Sequence, residues 1–295
     1  MTKINNEGVF CPNSYNELIE ILADFPSDGC IIAGGTDLVI KLQKNIIHPS
    51  AFLVLGKIPQ LNKIEYKSNY LWIGSCVTMT QLADYSFPFS LQSINDAARE
   101  VGSVQIRNLA TIGGNIANAS PASDLQPVLM LLDGLVVIVG PDKNIYEKKI
   151  NDFIVDSGKT TLNYNEVILG FKIPIFNNLY KVSIYKKLAY TKKVSISRIG
   201  MAISIDINTD KETINNATIY IGSISKKTIM ANSIASCLIG QKIFSIDYNN
   251  YLEKATEVVT ANSPRKYKTY AIKGLAIDTL DLLIARSTFF LSLNN

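Results

Sequence analysis

Histidine occurs once in these 295 residues, at His48, and cysteine four times, at Cys11, Cys30, Cys76 and Cys237, with no Cys-x-x-Cys pair. Zinc and iron–sulfur centres need clustered imidazole or thiolate ligands, so no metal site is expected and the thiols read as small buried hydrophobes. The same scarcity leaves a serine–histidine–acid set only through His48, whose neighbour Pro49 suggests a loop end. Charge is also thin. Asp, Glu, Lys and Arg make up 18% of the chain, the net charge is +4, and the lysines are scattered rather than blocked. That argues against a dedicated nucleic-acid surface and leaves room for an anionic cofactor. Long apolar runs are missing. The longest, 128–139, is interrupted by Asp133 and Gly134 and is too short to cross a bilayer. Residues 1–10 are polar and carry Glu7, unlike a secretory or transit segment, so a cytoplasmic protein without a membrane anchor is expected.

Apolar residues account for 47% of the sequence, enough for large cores, and the length fits two domains. Ser14-Tyr15-Asn16-Glu17 is a capping box, and Leu18, Ile21, Leu22 and Phe25 follow at helical spacing, which predicts a helix over 15–25. Residues 30–33 form a short apolar strand. After it, Gly34-Gly35-Thr36 makes a turn and Asp37 can cap a helix through Leu42. Further strands are expected at 52–55, 64–66, 71–74, 135–139, 145–148 and 167–173, with helices opening near Thr78, around 91–101 and, after Ser123-Asp124, through Leu132. The stretch 102–118, dense in glycine, asparagine and small polar residues, reads as a functional loop. Beyond a linker at 176–178 the pattern changes to three long strands, 182–189, 199–207 and 217–224, then three helices near 229–239, 247–260 and 266–290. The fold class is therefore α+β. Residues 1–177 form a first domain, and 178–295 a smaller second domain with a three-stranded antiparallel sheet and a helical layer on one face.

Two glycine turns carry the chemistry: Ala33-Gly34-Gly35-Thr36-Asp37 and Thr111-Ile112-Gly113-Gly114-Asn115. Consecutive glycines let backbone amides converge without side-chain obstruction, and such nests bind pyrophosphate oxygens. A lone Gly-Gly pair is usually only a tight turn. Two in one domain, each followed by hydroxyl, amide or carboxylate groups, point to a dinucleotide. A Rossmann fingerprint, G-x-G-x-x-G, is absent. Ser157-Gly158-Lys159-Thr160 imitates the tail of a P-loop, but Phe153 stands where that motif requires glycine, so it reads as a solvated loop.

With these residues the chain resembles, over nearly its whole length, the FAD-binding subunits of molybdenum hydroxylases, a family that includes xanthine, carbon monoxide and nicotinate dehydrogenases. The resemblance is carried by Ile31-Ile32-Ala33-Gly34-Gly35-Thr36-Asp37-Leu38 and by Gln105-Ile106-Arg107-Asn108-Leu109-Ala110-Thr111-Ile112-Gly113-Gly114-Asn115-Ile116, continuing through Ala119-Ser120-Pro121 to Asp124. Glu166-Val167-Ile168-Leu169 and Tyr185-Lys186 fit the pattern more weakly. The resemblance implies a two-part FAD-binding domain of the PCMH type, followed by a smaller domain closing over the flavin. It implies that residues 31–38 and 111–115 hold the FAD pyrophosphate and its flanking sugar, and that Asn118, Ser120 and Asp124 meet ribose or ribityl hydroxyls. The plainer role for Asp124 is a helix N-cap, which it could fill at the same time as the cofactor contact that the resemblance favours. Ile168 would pack on an apolar face of the cofactor. Lys186 would face the flavin and stabilise its reduced, anionic form, the bland alternative being a solvated strand lysine.

The resemblance further implies an oxidoreductase subunit of the xanthine dehydrogenase type with no catalytic residue of its own. Electrons would come from a molybdopterin-binding large subunit through a two-iron two-sulfur small subunit, pass through FAD in a heterotrimer, and leave to NAD. A standalone flavin oxidoreductase and a non-catalytic assembly subunit with a decayed nucleotide site are the rival readings. The chain departs from the family at 190–197. Many relatives have a basic pair followed by an acidic residue there, whereas here Lys192-Lys193 precede Val194-Ser195, which leaves the oxidant unspecified.

Overall fold

A computed structural model of the chain describes residues 8–175, 180–189, 196–208 and 212–293. The expected linker at 176–178, the boundary at 177 and the divergent pair Lys192-Lys193 lie outside the described residues. The chain folds into two compact units that interleave along the sequence. One comprises Met1–Gln81, Val104–Ser120 and Asp133–Ile175, and the other Leu82–Ser103, Pro121–Leu132 and Phe176–Asn295. A single boundary near 177 is the simplest reading of the change in element pattern. It cannot register that two short helical segments of the first half pack with the second.

The first unit contains two main sheets. A parallel sheet has the order Val9–Phe10, Phe52–Val54, Cys30–Ile32, so Cys30–Ile32 is an edge strand. An antiparallel sheet has the order Ile64–Tyr66, Tyr70–Gly74, Val167–Pro174, Leu135–Val139, Ile145–Lys149. The first helix, Tyr15–Ala23, starts as expected. The Ser14 hydroxyl accepts from the Glu17 amide at 3.2 Å, and the Glu17 carboxylate accepts from the Asn13 amide at 2.7 Å. Leu18, Ile19, Leu22 and Phe25 drive this helix into one core with Leu53, Leu55, Val137, Val139, Val167 and Leu169. Each fully buried side chain of this kind contributes roughly 1.5–3 kcal/mol. Ser157 and Gly158 turn between the paired strands Ile154–Asp156 and Lys159–Thr160, with Gly158 at φ 70°, so the second half of the expected loop at 157–160 is strand.

The second unit is built on an antiparallel sheet of four strands, not three: Lys181–Leu188, Ile199–Ile207, Ile214–Gly222 and the short Ile229–Met230. The fourth strand occupies the start of the expected 229–239 helix, which shrinks to Asn232–Ser236. Isoleucine and methionine suit either element, so local pattern could not separate them. The helical cover is also more extensive than one layer. Val182, Ile184 and Met201 pack into a core with Tyr251, Ala255 and Val259 of Tyr248–Asn262 and with Ile272, Leu275, Ala276, Leu280 and Leu283 of Lys266–Leu293. The alternate residues Ser183 and Tyr185 instead meet helices Ser93–Glu100 and Leu125–Leu131 and their flanks, through Ser93, Asp96 and Asp124. With both faces covered, the inner strand Ile199–Ile207 is buried at eight of its nine positions, where a one-sided strand would alternate.

An ion pair fastens this arrangement. Arg286 donates through both terminal nitrogens to Asp96, at 2.8 and 2.9 Å, and also to the Ser183 carbonyl at 2.7 Å, while Asp96 accepts from the Tyr185 amide at 3.1 Å. Helix, strand and long C-terminal helix are thus joined at one carboxylate.

Candidate functional site

The first glycine turn follows edge strand Cys30–Ile32 and leads into helix Leu38–Gln43. Gly34 is dictated by close backbone approach, since a Cβ there would sit 1.9 Å from the Leu109 carbonyl oxygen. Gly35 adopts φ 71°, a conformation that side chains disfavour. Among the described residues, no acceptor partners the amides of Gly34, Gly35, Thr36, Asp37 or Leu38, and all five residues retain solvent access. Asp37 stands at the N-cap position but makes no side-chain cap, contrary to expectation. Its carboxylate instead accepts from the Asn118 side chain at 3.3 Å. The turn therefore displays a run of unpaired N–H groups, which is the chemistry of an anion nest.

The second turn is built differently. The stretch expected as a loop contains two short helices, Val104–Arg107 and Ile112–Ala117, and Gly113-Gly114 lie inside the second. Thr111 is its N-cap, accepting from the Gly114 amide at 3.1 Å. The Ile112 amide donates to Val77 at 3.0 Å, Gly113 to Ser75 at 2.8 Å and Asn115 to Thr111 at 2.9 Å. Every amide from 112 to 115 is thus engaged within the fold, so this segment cannot act as the backbone nest that the glycines suggested. Gly113 has a packing reason instead, since a Cβ there would meet the Ser75 carbonyl oxygen at 2.6 Å. What the segment still presents is side chains. Asn118 reaches Asp37, which brings the polar followers of the two turns together.

Asp124 belongs to the second unit and is 6% exposed. It precedes helix Leu125–Leu131 without capping it. One carboxylate oxygen accepts from the Tyr185 hydroxyl at 2.7 Å and the other from the Lys187 ammonium at 3.0 Å, and Lys187 also donates to the Glu100 carbonyl at 2.5 Å. Burial pushes the Asp124 carboxyl up to about 6, against the pull of Lys187 and Tyr185. Burial, reinforced by the charge of Asp124, holds the Tyr185 phenol well above its usual range. Gly200 makes room for that phenol, because a Cβ there would lie 2.4 Å from its oxygen.

Sequence reading selects Lys186 as the notable cation, but Lys187 is the one in the cluster. Residues 185 and 187 project from one face of strand Lys181–Leu188, and Lys186, half-buried, from the other. The period of two was the available signal for pairing Tyr185 with Lys187. Ile168, 5% exposed, lies beside a register shift in strand Val167–Pro174 and is packed inside its unit. Ser120 follows Ala119, which adopts φ 45° and accepts from the Gly158 amide at 2.9 Å.

Residues 3–176 match the family model described as the FAD binding domain in molybdopterin dehydrogenase. The chain belongs to this family. As a member of it, the chain binds FAD. This FAD-binding chain is 29% identical over 291 residues to the nicotinate dehydrogenase FAD-subunit of Eubacterium barkeri, covering 93% of this chain and 96% of that one. It is 24% identical over 250 residues to xanthine dehydrogenase 2 of Arabidopsis thaliana, covering 80% of this chain but only 18% of that protein. In fold it matches CO dehydrogenase from Oligotropha carboxidovorans with a TM-score of 0.82 and 19% identity, over 96% of this chain and 99% of the other. Among the described residues, no helix is long and apolar enough to cross a membrane.

Proposed function

We propose that this flavoprotein is the electron-transferring subunit of a molybdenum hydroxylase, with the FAD pyrophosphate resting on the amides of residues 34–38. The observation that carries the reading is the row of unpaired amides after Gly34, next to a second segment whose amides are already engaged. Thr36, Asn115, Asn118 and Ser120 are the side chains of the first unit that would meet the ribityl and ribose hydroxyls. Thr111 and Gly113 shape the backbone that carries them. Asp124, with both oxygens occupied, acts by fixing Tyr185 and Lys187 rather than as an open acceptor.

When bound, FAD supplies a centre that accepts single electrons and releases a hydride. Molybdenum and iron–sulfur chemistry would belong to a large and a small partner subunit, because one histidine and four dispersed cysteines make a poor ligand supply in this chain. The Eubacterium barkeri relative is named as one subunit of nicotinate dehydrogenase, which supports an assembly of this kind. NAD is the proposed acceptor, and xanthine or nicotinate the proposed class of substrate hydroxylated by the partner.

Affinity purification from the native host tests the assembly. Two further chains carrying molybdenum and iron should accompany this one, and the complex should reduce NAD with an N-heterocyclic substrate. A chain that purifies alone and turns over with NAD(P)H and a flavin-reducible dye would overturn the assembly in favour of a standalone oxidoreductase.

A further inference from the structure

In the first unit, two apolar helices have no buried residue. Leu38–Gln43 carries four apolar side chains in six positions and Val104–Arg107 two in four, yet neither sinks one of them into a core. Val39, Ile40 and Ile46 of the first stretch and Val104, Ile106 and Leu109 of the second stand exposed, Ile46 at 64% and Leu109 at 60%. The two stretches adjoin one turn. A Cβ on Gly34 would press on the Leu109 carbonyl, and one on Gly35 would lie 3.4 Å from a Val39 methyl, so both meet at the same pair of glycines.

The charges along these stretches have one sign. From Leu38 to Ile64 the sequence holds Lys41, Lys44, Lys57 and Lys63 and no aspartate or glutamate, and from Val104 to Ser120 it holds Arg107 and again no acid. Among the described residues, Lys41 and Lys44 make no ion pair with a carboxylate. Single apolar side chains on a surface are ordinary, but a group of them at one turn, flanked by charge of one sign, marks a place where another molecule sits. A bilayer is a poor occupant, because interfacial helices are longer and insert Trp or Phe, whereas these span six and four residues and contain neither. A second copy of the same face would set lysine against lysine.

We propose that this surface docks the partner subunit that delivers electrons to the flavin, and that the partner meets it with an apolar centre rimmed by carboxylates. The inference rests on the multi-subunit reading given above. On docking, Ile40, Ile46 and Leu109 lose their contact with water, which supplies affinity. Lys41 and Lys44 gain the counterions that their own segments lack, which steers the encounter and fixes its register. The surface begins where the amides of residues 34–38 end, so a partner seated on it lies against the cofactor's own turn. That keeps a donor centre close to the group it reduces.

The test uses the tagged full chain purified from the native host as wild type, as the double variant Ile40→Asp/Ile46→Asp, and as Phe244→Asp, an exposed apolar position of the second unit. Wild type and Phe244→Asp should bring the same iron per chain, and the double variant ~10-fold less, with unchanged affinity for FAD. Lys41→Glu with Lys44→Glu should also lower the iron, and added salt should narrow its difference from wild type. A second readout leaves the complex intact: Ile46→Cys in a Cys11→Ser background should react with a maleimide in the isolated chain and ~10-fold more slowly in the complex. Full iron in the double variant, or equal maleimide rates, overturns the surface and leaves the assembly standing. A wild-type chain that arrives without iron or partner chains overturns the assembly, and this surface with it. Loss of FAD affinity in the double variant would assign the patch to the cofactor, and sedimentation of the isolated wild type with phosphatidylserine vesicles would assign it to a membrane; either result overturns the proposal.

Discussion

Replacing Asp124 with asparagine should change how stability depends on pH, in a direction set by the buried cluster. The folded protein holds this carboxyl at about 6, whereas its ordinary value is 3.8, because burial outweighs the attraction of Lys187 and the hydrogen bond from Tyr185. Between those two values the folded chain binds more protons than the unfolded chain. Stability is therefore greatest below the lower value, falls as the pH rises toward the upper one, and is level beyond it. A displacement of this size corresponds to roughly 3 kcal/mol, and with the side chain almost fully enclosed there is little solvent screening to reduce it. The substituted amide cannot gain the proton. Urea unfolding of the wild type and Asp124→Asn across a pH series should thus show wild-type stability declining relative to the variant through that window. Parallel profiles would refute the reasoning. A wild type that gains on the variant as pH rises would mean that the Lys187 ion pair, not burial, governs the carboxyl.

Arg286→Met should destabilise the second unit by about 3–5 kcal/mol in urea unfolding, because it strands a carboxylate that is only 14% exposed, and adding Asp96→Asn should recover part of the loss. A change under about 1 kcal/mol would mark the pair as effectively solvated. Gly34→Ala should lower FAD affinity severely, since the new methyl would press on the Leu109 carbonyl oxygen at 1.9 Å and force the turn away from its partner segment. Fluorescence titration with FAD would reveal it, and unchanged binding would show that the turn's conformation is irrelevant to the cofactor.

Much of the fold was legible from periodicity. The capping box at Ser14, the short strand at 30–33, the strands at 64–66, 71–74, 135–139 and 145–148 and the three long strands of the second half are short-range patterns, and each forms close to where it was expected. Misjudged features depended on distant partners. Gly113-Gly114 looks like a turn because glycine is a poor helix former, but the Thr111 cap and close contact with Ser75 make helix the better state. Ile229 and Met230 join a sheet edge opposite Tyr220 and Ile221, which no local rule anticipates. The second helical cover arises from segments of the first half, including residues 93–100 and 125–131, and only tertiary packing assigns them there.

The candidate site divides along the same line. Residue identities around Gly34 and Asp124 stood out in sequence, but which amides remain free depends on contacts with residues such as Ser75 and Val77. The choice of Lys187 over Lys186 follows from strand alternation, a local rule that the resemblance to relatives obscured.

The central claim is that the amides of residues 34–38 hold the pyrophosphate of FAD. Comparing the affinity of the purified chain for FAD and for riboflavin, which has the same ring and no phosphate, tests it most directly. Two charge-assisted hydrogen bonds from the turn should favour FAD by ~100-fold or more. Equal affinities would contradict the account, because the ring alone would then be the ligand and the open amides would have no part in binding.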